Sequence, residues 1–135
     1  MMKYLIAGLM MAQMVVAQEP SDYLKQAKQV GEHVWIGPQP QPADYVEFAA
    51  DDFVAVINTR TEKEMQDLDF DAAGLADKHG LNHNLIEVGA GHPYSPAKLT
   101  EFAALMKQYE GQKMVLHCRS GHRASQLYAA WLVKY

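Results

Sequence analysis

The stretch MVLHCRSGHRAS, residues 114–125, holds the one cysteine of the chain, Cys118, between His117 and Arg119 and three residues ahead of Gly121. An apolar run leads into it, and apolar residues at helical spacing follow, so the cysteine belongs on a turn between a strand and a helix. With Arg119 to His122 wrapping into a helix that begins near Arg123, several backbone N–H groups converge on the sulfur side, and the helix dipole adds partial positive charge. Such a concavity binds an anion and stabilises a thiolate, whose pKa falls from ~8.5 to between roughly 3.5 and 7.5 in settings of this kind. A thiolate among oxyanion donors is an attacking nucleophile. Arg119 and Arg123 supply two cations, Gly121 lets the backbone turn tightly, and Ser120 and Ser125 either donate hydroxyl hydrogen bonds or cap the helix start. His117, at the last strand position, faces away from Cys118 by the two-residue alternation and orients the loop or packs in the core.

The competing assignments for these residues are few. A lone cysteine makes no internal disulfide, so Cys118 is either an inert buried thiol or a reactive one. The chain has six histidines, but His117, Cys118 and His122 find no second thiol or carboxylate cluster to complete a zinc set, and no metal or other cofactor is expected. The net charge is −4 without a basic run, which argues against nucleic-acid binding or docking on anionic lipid and leaves a small anionic partner.

The elements that must position Cys118 alternate along the 135 residues. Lys3 followed by the apolar stretch Tyr4 to Val16 and a small residue at Ala17 is the pattern of a secretory signal, so residues 1–17 are expected to be removed and the mature domain, 18–135, to be exported, in a bacterium to the periplasm. The apolar stretch is short of the ~20 residues that span a bilayer. His33 to Gly37, Phe53 to Ile57, Asn84 to Val88 and Lys113 to His117 read as strands; the second is the continuous β-favouring run of a strand buried on both faces. Helices are expected from Ala43 to Ala50, from Phe70 to His79 with Gly80 as its stop, and after Ser95-Pro96, where Leu99, Phe102, Ala103, Met106 and Tyr109 make one stripe. Ala124, Leu127, Tyr128, Trp131 and Leu132 line a last helix that is still periodic at Tyr135, which leaves a continuation open. Strands alternating with helices imply an α/β fold with three layers: a mainly parallel sheet of about four strands with helices on both faces. Cys118 then lies at the carboxyl end of a strand, where open α/β sheets bind ligands. The polar segment from Asn58 to Asp69 reads as a loop, and the acids Glu62, Glu64, Asp67, Asp69 and Asp71 as a solvated face. Arg60, at another strand's carboxyl end, either points into the same crevice or makes an exposed salt bridge. Gln39 and His33 are weaker candidates for the same crevice.

His-Cys-x-x-Gly followed by Arg and Ser resembles the phosphate-binding loop of cysteine-dependent tyrosine and dual-specificity phosphatases. With "VWIGPQP", "VAVINTR" and "HNLIEV" in order upstream, residues 30–135 are similar to the phosphatase-like family named for beta-lactamase hydrolase-like proteins, whose members are labelled either phosphatase or sulfurtransferase. The resemblance implies a cysteine phosphatase fold, with Cys118 as nucleophile and Arg123 holding the phosphoryl oxygens. Two features depart from the phosphatases. Their loop has five residues between cysteine and arginine, whereas Cys118 and Arg123 are separated by four, the spacing of rhodanese-type sulfurtransferases. The dual-specificity enzymes also carry an aspartate as general acid in the loop before the preceding helix; here that loop, Gly89 to Ser95, has none. Glu87 and His92 are the nearest substitutes, with Asp67, Asp69 or Asp71 reaching in from another loop.

Three functions follow from these residues. In a phosphatase-like hydrolase, the leading reading, Cys118 attacks phosphorus. In a sulfurtransferase it carries a persulfide in the same cradle. In a non-catalytic phosphate binder the cradle persists without turnover.

Overall fold

The computed structural model describes residues 22–135, so the expected signal segment and the first mature residues lie outside the described part. Within it, the chain runs α1 (Asp22–Gln26), β1 (Lys28–Gly31), β2 (Val34–Gly37), α2 (Pro42–Ala50), β3 (Ala55–Asn58), α3 (Glu62–Gln66), α4 (Ala72–Lys78), β4 (Asn82–Leu85), α5 (Pro96–Gln108), β5 (Met114–His117) and α6 (His122–Lys134). The strands form a single sheet in the order β1-β2-β5-β3-β4. Four of them are parallel, and β1 joins β2 antiparallel.

The architecture is the expected three-layer α/β arrangement, with one strand more than anticipated. Lys28–Gly31 carries no apolar alternation, because as an edge strand it buries little and is held by main-chain pairing to β2. The segment expected to be loop from Asn58 onward contains helix α3, which starts with a capping box: Thr61 accepts from the Glu64 N–H while the Glu64 carboxylate accepts from the Thr61 N–H.

Side-chain alternation along β3 and β5 divides the core. Ala55, Ile57, Met114 and Leu116 face α5 and α6, where Leu99, Phe102, Met106, Leu127 and Tyr128 cover them. Val56 and Val115 face the other way, under Tyr23 of α1, Tyr45 and Phe48 of α2, and Ala72 and Ala76 of α4. Each large apolar side chain buried in these layers contributes roughly 1.5–3 kcal/mol. Proline opens both α2 and α5, and Ser95 caps α5 by accepting from the Lys98 N–H at 3.3 Å. No described helix is long and apolar enough to cross a membrane.

Gly37, His117, Asn58 and Leu85 are register partners across β2, β5, β3 and β4. The four parallel strands therefore end level, and the loops that follow them open on one crevice.

Candidate active site

Cys118 follows β5 directly and is 1% exposed. Gly121, the N-cap of α6, turns the chain with φ +98°, a left-handed conformation that an L side chain adopts only under strain. That turn brings the Gly121 N–H to 3.1 Å from Cys118 Sγ. Burial pushes the thiol pKa up, but the N–H groups of Ala124, Ser120, Arg123 and Gly121 together outweigh it, and the thiol lies below its ordinary value. The loop is braced from β2: Gln39 N–H donates to the Arg119 carbonyl at 3.2 Å, and the Tyr23 hydroxyl holds the Pro38 carbonyl at 2.7 Å. A Cβ on Gly121 would sit 3.3 Å from the Gly37 carbonyl oxygen, a tight contact that adds to the preference for glycine set by the left-handed turn.

Arg123, in the first turn of α6, turns toward a carboxylate that the sequence reading had assigned to solvent. Its Nη1 donates to Glu64 Oε1 at 2.6 Å and to the Val88 carbonyl at 2.7 Å, and its Nη2 donates to Glu64 Oε2 at 2.9 Å. The Arg123 hydrogen bonds, ahead of the smaller contributions from Thr61 and Arg60, hold the Glu64 carboxyl down at about 2. Glu64 in turn raises the Arg123 guanidinium, with a further contribution from Cys118. A guanidinium has five N–H donors in a planar fork. Three are committed on the Glu64 and Val88 side, which leaves Nε–H and the second Nη2–H, adjacent on one edge, for the Cys118 sulfur and an oxyanion seated beside it. Gly89 makes room for this: a Cβ there would lie 2.7 Å from Arg123 Nη1.

Arg60 joins the same network. It is 8% exposed, its Nε donates to Glu64 Oε2 at 3.0 Å, and its Nη1 donates to Gln39 Oε1 at 3.0 Å. The link to the crevice thus runs through Glu64, and Gln39, a weak candidate by sequence, is its outer partner.

His117 is completely buried, with its Nδ1 3.1 Å from the Cys118 carbonyl; burial holds its pKa down at about 3. Arg119, Ser120, His122 and Ser125 are exposed residues, so the loop meets the sulfur through its amides rather than through these side chains. Ser125 donates its N–H to the Gly121 carbonyl in the first turn of α6. Glu87 and His92 pair with each other at 3.3 Å, and Glu87 also accepts from the Glu62 N–H at 2.9 Å; these contacts tie the Gly89–His92 turn to α3. Asp71 caps α4 through the Gly74 N–H, Asp67 ends α3, and Asp69 is exposed. Among the described residues no group of three His, Cys, Asp or Glu side chains is placed to hold a metal ion.

Glu64 is the site residue that sequence reasoning missed. Two local signals pointed to it: Thr61-x-x-Glu64 is a capping box, and Arg60-x-x-x-Glu64 is an (i, i+4) ion pair.

Comparison with known structures agrees with this layout. The DUF442 phosphatase-type protein of Shewanella putrefaciens CN-32 superposes with a TM-score of 0.71 at 21% identity, over 81% of this chain and 68% of that one. Tk-PTP in its active form gives 0.68 at 23% identity, over 80% and 72% of the two chains. PTPMT1, solved in complex with PI(5)P, gives 0.69 at 20% identity, over 80% and 72%. At these identities the likeness speaks for the fold. No curated protein sequence matches the chain. The model of the family described as "Beta-lactamase hydrolase-like protein, phosphatase-like domain" matches residues 26–132, nearly the whole described chain and all of the crevice just traced. A cysteine cradle at the level end of a parallel sheet, on a tyrosine-phosphatase fold, is therefore how this chain belongs to the phosphatase-like domain family of beta-lactamase hydrolase-like proteins.

Proposed function

We propose that the protein is a cysteine-dependent phosphoester hydrolase acting on a small anionic substrate. The observation that carries this reading is the pairing of Cys118, faced by loop amides, with an Arg123 fork whose far edge is held by Glu64 and whose near edge meets the sulfur. The Cys118 thiolate attacks phosphorus; an S–P bond forms as the ester P–O bond breaks. The amides of residues 119–124 and the Nε and Nη2 hydrogens of Arg123 hold the equatorial oxygens as charge builds on them. Water then attacks the thiophosphoryl group, releasing phosphate and the thiolate. With Glu87 and His92 engaged elsewhere, the leaving oxygen takes its proton from solvent, so phenols leave faster than alkanols. Hydrolysis of an aryl phosphate, lost in Cys118→Ser and steeply dependent on the acidity of the phenol, tests the reading. No turnover across a series of aryl phosphates refutes it.

A second reading is favoured by the four-residue spacing from Cys118 to Arg123, which resembles that of rhodaneses, and by a reaction that needs no leaving-group acid. In it Cys118 attacks the outer sulfur of thiosulfate, sulfite departs, and the persulfide anion occupies the cradle. Intact mass after incubation with thiosulfate separates the two: gain of one sulfur atom, absent from Cys118→Ser, supports sulfur transfer. Absence of both activities with retained phosphate binding supports the non-catalytic reading. Export through residues 1–17 is part of the same proposal, tested by finding the mature N-terminus at Gln18 in a periplasmic fraction.

A further inference from the structure

Beneath the cysteine loop, two side chains one strand apart carry polar atoms that no group among the described residues satisfies: Asn58 Nδ2 and His117 Nε2. Both residues are 0% exposed. They are register partners on β3 and β5, and two residues earlier Val56 and Val115 are partners in the core under α2 and α4, so both side chains project to that same face.

The other end of each side chain sets its polarity. Asn58 Oδ1 accepts from the Arg60 N–H at 2.8 Å, so Nδ2 is the donor end. His117 Nδ1 lies 3.1 Å from the Cys118 carbonyl, which can only accept, so in the neutral imidazole the proton is on Nδ1 and Nε2 presents a lone pair. A donor and an acceptor are thus buried side by side, and leaving either unpaired costs about 1–3 kcal/mol. Internal waters are bound between groups of this kind. His83 Nε2, on the same side of the sheet on β4, is another buried atom without a partner among the described residues, and its imidazole acts electrostatically on His117.

We propose that Asn58 and His117 bind one internal water, which accepts from Asn58 Nδ2 and donates to His117 Nε2, and that Asn58 is thereby a positioning residue holding His117 in the tautomer that grips the Cys118 carbonyl. Asn58 then joins the two halves of the site. Through Oδ1 it fixes the Arg60 main chain, and hence the Arg60–Glu64–Arg123 network; through the water and His117 it fixes the start of the cysteine loop. The inference rests on Cys118 being the nucleophile and holds for attack on phosphorus or on sulfur alike.

The test is nitrogen NMR of histidine-labelled protein beside the rate of Cys118 alkylation by iodoacetamide at pH 6. In the unmodified protein His117 is expected as the Nδ1–H tautomer, with a water cross-peak to its ring protons. Asn58→Asp keeps the acceptor toward Arg60 but sets a carboxylate oxygen before Nε2; it is expected to draw the proton to Nε2 and to slow alkylation about tenfold, the equivalent of one pKa unit. Asn58→Leu, which adds no charge, is expected to slow it in the same direction. An Nε2–H tautomer in the unmodified protein overturns the proposal, and that reading stands even if neither variant folds. A folded Asn58→Asp with unchanged tautomer and alkylation overturns it as well. An unmodified Cys118 that alkylates no faster than a free thiol, with the expected tautomer present, instead counts against the nucleophile reading under Proposed function.

Discussion

Arg123 is shared between a carboxylate below it and a sulfur beside it, and the division of its donors decides what the site can hold. Glu64 takes the far edge of the guanidinium and keeps the near edge facing the cradle. Glu64→Gln removes the charge and is expected to cost one charge-assisted hydrogen bond, about 1.5–3 kcal/mol. At ~1.36 kcal/mol per factor of ten, that is roughly a ten- to hundredfold loss in kcat/KM for an aryl phosphate. An unchanged kcat/KM would show that Arg123 is aimed by something other than Glu64. Gly89→Ala is expected to act on the same arginine from the other side, because its Cβ would fall 2.7 Å from Nη1. The expected result is weaker phosphate binding, measured by calorimetric titration, and slower Cys118 alkylation by iodoacetamide, because the displaced guanidinium also bears on the sulfur.

Two short elements carry most of the geometry. The turn from β5 into α6 works because Gly121 reaches φ +98° and because its amide, with those of Ser120, Arg123 and Ala124, converges on one atom. In Gly121→Ala the left-handed conformation costs roughly 1–2 kcal/mol. If the chain relaxes out of it, the amide leaves the sulfur, so the thiol pKa is expected to rise and the acid limb of kcat/KM against pH to move up with it. Helix α3 has five residues, too few to be stable alone, and is held by its capping box and by the arginines on Glu64. Thr61→Ala is expected to cost about 1 kcal/mol in urea unfolding. It is also expected to lower kcat/KM, since Glu64 serves the cap and the site with the same carboxylate.

At the scale of the molecule, the titratable groups shifted by burial or by ion pairing set how the fold responds to acid. His117 has a folded pKa of about 3 against an ordinary 6.5. The unfolded chain therefore takes up its proton first, and stability present above pH 6.5 is lost as pH falls toward 3. Glu64, lowered from 4.5 to about 2, contributes stability above 4.5 that is lost as pH falls through 2. The melting temperature is expected to decline from near pH 6.5 downward, and the upper part of that decline, between pH 6.5 and 4.5, to be reduced in His117→Gln, with His83, whose pKa burial also lowers, supplying the remainder. A decline that begins only below pH 4.5 in the unmodified protein would mean that His117 is not held neutral. The level ends of the four parallel strands explain why these groups interact at all: His117, Asn58 and the segment that runs through Arg60 into α3 with Glu64 leave the sheet at one height.

What the sequence determined by itself was local. The cysteine turn is read within seven residues, from Cys118 to Ala124, because the amides that face the sulfur are supplied by the residues next to it and Gly121 is the only residue there free to take a left-handed turn. The buried strands and helices α5 and α6 were legible for the same reason: apolar period and capping chemistry are properties of a short stretch. Edge strand β1 was not, since an edge bonded only through its main chain leaves no side-chain pattern. The union of Glu64 with Arg123, 59 residues apart, was decided by tertiary structure alone. Two-residue alternation says which way a side chain points but not which strand lies beside it, and only the order β2-β5-β3-β4 sets α3 against the first turn of α6. The same order made Asn58 and His117 neighbours, a pairing of buried donor and acceptor that no spacing along the chain announces.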